Sequence, residues 1–130
     1  MYQAETHGVR VTAAPSFMEG ESSPAQGRYF WAYTIEILNR SAQTVQLMSR
    51  HWFITDGHGE VHEVRGDGVV GQQPVLRPGE SYSYTSGCPL MTPDGSMRGF
   101  YAMLGEDGTI FDVEVPLFPL DSPYVKKVLH

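Results

Sequence analysis

A chain of 130 residues, 41% hydrophobic and 12% aromatic, is long enough for one hydrophobic core and short for two domains. Its 9 basic and 15 acidic side chains give a formal charge of −6, and the charges are scattered rather than blocked. A basic footprint that could neutralise phosphates is missing, so nucleic acid and anionic membranes are excluded as expected partners.

The periodicity is that of strands. Val9 and Val11 begin an alternating N-terminal strand. Tyr29, Trp31, Tyr33, Ile35 and Ile37 fall on every second residue, which puts them on one face of a long strand turned toward the core. Asn39-Arg40-Ser41-Ala42 interrupts the pattern, and a second long strand runs from about Thr44 to Thr55. Asp56-Gly57 reads as a hairpin turn, since both residues tolerate positive φ, and the chain returns through Glu60 to Val64. After the glycine-punctuated stretch Gly66–Gly71, Arg77-Pro78-Gly79-Glu80 has the form of a Pro-Gly turn. Ser81–Ser86 alternates tyrosine with small polar residues, as a half-exposed strand does. Pro93–Ser96 turns the chain into Met97–Leu104, and Gly105–Gly108 turns it into Thr109–Val115.

No helical window interrupts this series. About seven or eight short strands in one domain predict an antiparallel β-sandwich of the immunoglobulin or fibronectin type III kind, with a small closed barrel as the alternative. Pro116, Pro119 and Pro123 keep the last segment, from about residue 116 to 130, out of a central strand; it should wrap an edge or trail into solvent.

Gly66-Asp67-Gly68-Val69-Val70-Gly71 has the glycine spacing of a dinucleotide-binding fingerprint. That motif needs a helix opening directly after the glycines, and Gln72-Gln73-Pro74 followed by Pro78 leaves no room for one. Two readings remain. The loop cups a small anion with bare backbone amides, or it makes a tight bulge or crossover where side chains would collide. Asp67 works against the anion.

His58 and His62 are four apart, a helical zinc spacing, but on an extended strand four residues span ~13 Å. His51 and His62 are the better-placed pair, although ordinary surface histidines are the expected reading and no metal site is expected. A hairpin closed with Asp56-Gly57 at its centre sets them directly opposite, with Glu60 near, whereas a longer Asp56–Gly59 loop sets His51 opposite Val64. Arg50 and Trp52 share one face of their strand, with Leu47, Ser49, His51 and Phe53 on the other. Arg and Trp anchor many protein interfaces; packing in the core is the alternative for Trp52.

The single cysteine, Cys88, can form no internal disulfide, which fits a reducing compartment, and no His or Asp motif accompanies it as in a thiol enzyme. The N-terminus lacks a basic region followed by an apolar one, and no apolar run approaches the ~20 residues of a membrane-spanning helix. A cytoplasmic protein is expected.

The run Gly66-Asp67-Gly68-Val69-Val70-Gly71-Gln72-Gln73-Pro74, with Arg50-His51-Trp52-Phe53-Ile54-Thr55-Asp56-Gly57 before it and Arg77-Pro78-Gly79-Glu80 and Tyr84-Thr85-Ser86-Gly87 after it, resembles the ApaG family. Tyr33 and Gly99-Phe100-Tyr101 extend the likeness over essentially the whole chain. The resemblance implies a small, cytoplasmic, bacterial protein with a fibronectin type III-like fold, no defining enzymatic activity and no cofactor. It also implies three possible roles: recognition of another protein, binding of a nucleotide or pyrophosphate through the glycine run, and a part in cobalt and magnesium homeostasis. The expected function is a non-enzymatic protein-binding module, with the small-anion and metal-homeostasis roles as alternatives. Gly66, Asp67, Gly68, Gly71, Arg50 and Trp52 are the candidate binding residues.

Overall fold

The strands fold into two facing sheets, seen in a computed structural model that describes residues 1–125. The strands are β1 (Tyr2–Thr6), β2 (Val9–Phe17), β3 (Tyr29–Asn39), β4 (Val45–Asp56), β5 (Val61–Asp67), β6 (Val75–Leu76), β7 (Ser81–Leu90), β8 (Gly95–Gly105) and β9 (Ile110–Leu120). One sheet has the order β1-β2-β3-β7 and the other β5-β4-β8-β9, with β6 continuing along the β5 side of β4. Every pairing is antiparallel. Two separate sheets make this a sandwich of the immunoglobulin or fibronectin type III kind and not a closed barrel.

Alternation in β3 does what the sequence predicts: Trp31, Tyr33, Ile35 and Ile37 are buried between the sheets. Opposite them lie Tyr101, Met103, Val113 and Phe118. Trp31 packs edge-on against Phe17, and its indole N–H donates to the Asp121 carbonyl at 2.7 Å, pinning the chain just past β9. Asn39 is a buried polar residue whose capacity is filled. Its amide donates to the carbonyls of Gln43 and Leu76, and its oxygen accepts from the Ser41 N–H and hydroxyl.

The structure corrects the strand map at both ends. β1 is an additional edge strand, turned back into β2 through His7 and Gly8, both at positive φ. Most of its side chains are exposed, so it carries no apolar alternation to read. At the other end β9 continues to Leu120, and the irregular segment begins after it; residues 126–130 lie outside the described part. Both Pro116 and Pro119 are accommodated because β9 is an edge strand with a bulge: Met97 faces Phe118 while Gly99 faces Val115, with Pro116 in the irregularity. The bulge also moves the buried positions from Val113 and Val115 to Phe118 and Leu120.

A similar irregularity at Met48 shifts the β4 register between Leu47 and Ser49. Leu47 is therefore buried on the same side as Trp52, not on the face of His51 and Phe53 that simple alternation assigns it.

Trp31 fills the centre of the sandwich at 1% exposure. Trp31→Ala should cost ~3–5 kcal/mol, read as a fall in the urea midpoint at unchanged slope; an unmoved midpoint would remove Trp31 from the load of the core.

Candidate functional site

The candidate residues gather along one side of the second sheet, where β4 is flanked by β5 and then by β6. Between those two strands the chain detours through the glycine segment, opposite the Met48 irregularity. The Met48 carbonyl accepts from the Gly68 N–H at 2.9 Å and from the Gln73 side-chain amide at 2.9 Å. Val69 and Gln72 exchange backbone hydrogen bonds in both directions, so Val70-Gly71 is a two-residue turn of the I′ type, with positive φ at both residues. Val70 holds φ 43, an unfavourable conformation for a β-branched residue, while its neighbour Val69 is buried in the core.

Three glycines of the motif have three different physical reasons. Gly66 lies in register with Arg50, whose guanidinium crosses directly over it; a Cβ there would stand 2.7 Å from that guanidinium. Gly68 combines positive φ with a Cβ position 2.3 Å from the Gln72 carbonyl oxygen. Gly71 needs only the positive φ, since a Cβ there would meet open space. Arg50, passing over Gly66, donates to the carbonyls of Asp67 at 3.0 Å and Gly68 at 2.9 Å. Arg50 therefore fastens the detour from the inner side, and Asp67 is left exposed. As an anion cup the loop is poorly furnished, because the amides of Gly68, Val69 and Gln72 already donate within the protein.

Trp52 is buried, with edge-on contacts to Tyr33, Tyr101 and Phe118, so it supports the site and offers no surface of its own. Tyr84 and Tyr101 share a hydroxyl hydrogen bond in the interior. Burial raises the pKa of both phenols well above the usual tyrosine value, and Tyr33 shifts in the same direction for the same reason. Burial also pushes the Cys88 thiol up to about 11, the behaviour of a core side chain.

The hairpin after β4 overturns the His51–His62 pairing. Gly59 N–H donates to the Asp56 carbonyl, Asp56 N–H donates to the Glu60 carbonyl, and Gly59 has positive φ: a type I turn closed by a glycine bulge. This register sets His51 opposite Arg65 and His62 opposite Ile54, on opposite faces of the sheet. His51 stacks on Phe53 on the outer face and meets Glu63 at 2.8 Å. That hydrogen bond, with the charge of Arg65, holds the Glu63 carboxyl below its ordinary range despite some desolvation. His62 meets Asp56 at 3.2 Å instead, and Glu60 joins them. Beside this group lies a cavity of about 690 Å³ whose walls include Arg28, Tyr29, Phe30, Leu90 and Met91. His62 and Glu60 were visible in the sequence; their convergence on Asp56 was not, because it depends on a glycine bulge that dipeptide signals do not specify.

The fold defines a fibronectin type III-like sandwich with a glycine detour beside β4. The ApaG domain family model matches residues 19–105, and the chain belongs to that family. A protein ApaG of Methylorubrum populi is 60% identical over the full length of both chains, and one of Brucella canis is 54% identical, also over the full length of both. The crystal structure of an ApaA protein from Bordetella pertussis superposes with a TM-score of 0.87 at 46% identity, covering 96% of this chain and 100% of that one. No helix among the described residues is long and apolar enough to cross a membrane.

Two predictions follow the geometry. Gly68→Ala, with both strain and a backbone collision, should lower stability by about 2–4 kcal/mol, and Gly71→Ala by about 1 kcal/mol; equal costs in urea titrations would contradict the assigned conformations. Tyr84, Tyr101 and Cys88 have raised pKa values in the fold, so each keeps its proton where the unfolded chain loses it. Their contribution to stability is whole below the ordinary values, 9.0 for the thiol and 10.0 for the phenols, and is lost as pH rises past them. The urea midpoint should therefore hold to about pH 9 and fall steadily above it. In Tyr84→Phe the tyrosinate absorbance of the still-folded protein should be unchanged up to about pH 11.

Proposed function

We propose that this ApaG-domain chain is a non-enzymatic, cytoplasmic protein-binding module that takes an extended segment of its partner along the free edge of β5. The observation that carries the reading is Val64. It stands on the inward face of β5, in register with the buried Trp52, and is nevertheless 41% exposed. Among the described residues β5 pairs with β4 alone, and its outer row of backbone groups has no partner strand.

The other side of the sandwich is treated differently. There the Glu114 N–H donates to the Thr6 hydroxyl, tying β9 to β1 across the two sheets, and Pro116 and Pro119 interrupt the β9 edge. Open, regular edges invite strand addition, and proteins usually blunt them with prolines, bulges or charges. On β5 the charged pair Glu63 and Arg65 is matched internally with His51, leaving little net charge to repel an incoming chain. Burying the exposed part of Val64 would add about 1 kcal/mol to association, on top of the backbone hydrogen bonds.

The nucleotide reading has less support, since it needs loop amides that the fold already uses. Photo-crosslinking tests the edge directly. A benzophenone amino acid at position 64 should give one dominant adduct in the cells that make the protein, and the same label at Ile110, exposed on β9, should not. The adduct should disappear when Val61 is changed to Lys. Equal labelling from both positions, or adducts only from a label in the Gly66–Gly71 loop, would refute docking at β5.

A further inference from the structure

We propose that Asp56, Glu60 and His62 form a binding site for a divalent transition-metal ion at the mouth of the cavity beside the β4–β5 hairpin. One carboxylate oxygen from each acid and one imidazole nitrogen lie within 4.8 Å of one another. Ligands of one ion stand about 2.0–2.2 Å from it, so three atoms within 4.8 Å of one another are near the spacing of a shared coordination shell. The inference rests on side chains at the hairpin tip and stands apart from the docking reading, which rests on the backbone edge of β5.

Asp56 is already oriented for the task. Its Oδ1 accepts the N–H groups of His58 and Glu60 at 2.9 and 3.1 Å, which turns Oδ2 toward His62 Nε2 at 3.2 Å. The Asp56 side chain is 13% exposed, a largely covered carboxylate whose second oxygen is aimed at an imidazole. Glu60 brings a second carboxylate to the same point, and among the described residues its side chain has no hydrogen bond or ion pair. Two carboxylates against one imidazole leave the cluster negative even with the histidine protonated, and a divalent ion compensates both.

The chemistry of the set selects the ion. Carboxylate oxygens alone suit magnesium, calcium or manganese, while an imidazole nitrogen shifts preference to zinc, copper, iron or nickel. Three protein ligands facing a cavity of about 690 Å³ leave coordination positions for water or a small ligand, the arrangement of an open site. His58 lines the same cavity.

The test uses the full chain, first stripped with a chelator, titrated calorimetrically with zinc(II) and mapped by amide line-broadening with manganese(II). The expected result is saturable one-to-one zinc binding. Affinity should fall more than about tenfold in His62→Gln and in Asp56→Asn, which retains the Oδ1 acceptor for the turn. It should be unchanged in His51→Gln, where the other histidine–carboxylate pair lies. Manganese broadening should centre on Asp56–His62 and reach Leu90–Thr92 across the cavity. Should either variant fail to fold, the manganese map of the unmodified protein decides. Broadening spread over the acidic surface, zinc binding lost in His51→Gln but kept in His62→Gln, or a preference for magnesium over zinc would each overturn the assignment.

Discussion

The Arg50 guanidinium lying across Gly66 is the interaction on which the modified edge depends. A long cationic side chain on the inward face of a sheet must satisfy its donors there or reach solvent. Arg50 meets the first need with the carbonyls of Asp67 and Gly68, and it can do so only because the residue opposite it has no side chain. The chain leaves the β4 ladder just after Asp67, which brings the Gly68 carbonyl within reach as well. The departure is in turn anchored by the Gly68 N–H on the Met48 carbonyl. Charge, glycine and strand irregularity thus require one another. Removing any of them takes away the partners that hold the guanidinium and the detour together.

The same interlock explains why the interior beside it is polar. Tyr33, Tyr84 and Tyr101 stand close enough to Arg50 for its charge to lower their phenol pKa values, although burial dominates and drives them up. Neutral hydroxyls near a cation supply dipoles without adding a second charge, and Tyr84 and Tyr101 satisfy each other. Trp52 closes the cluster from the β4 side.

How much of this the sequence discloses depends on whether a feature is local. The β3 alternation from Tyr29 to Ile37, the tyrosine ladder of β7 and the Pro78-Gly79 turn are local, and each appears where periodicity and turn chemistry put it. Leu47 was misplaced because one irregularity at Met48 inverts every face assignment before it, and such irregularities have no compositional mark. β1 escaped notice for the opposite reason, since an edge strand with both faces largely wet has no hydrophobic period. The glycine run was legible as something other than a helix-opening phosphate loop, because the prolines that follow forbid the helix. The crossing of Arg50 over Gly66 was not legible, since it pairs residues sixteen positions apart through a register that only the folded hairpin sets.

That hairpin links the two ends of the candidate surface. Had Asp56-Gly57 occupied the centre of a two-residue turn, His51 and His62 would have faced each other and Arg50 would not have met Gly66. The glycine bulge at Gly59 changes the register, and three consequences follow together. Gly66 arrives beneath Arg50, Val64 arrives beside the buried Trp52 yet stays 41% exposed, and His62 swings to the side of Asp56 and Glu60. A single turn geometry at one end of β4 therefore fixes the anchoring of the glycine detour about ten residues away along β5. It also keeps the stretch of β5 between them in unbroken register with β4.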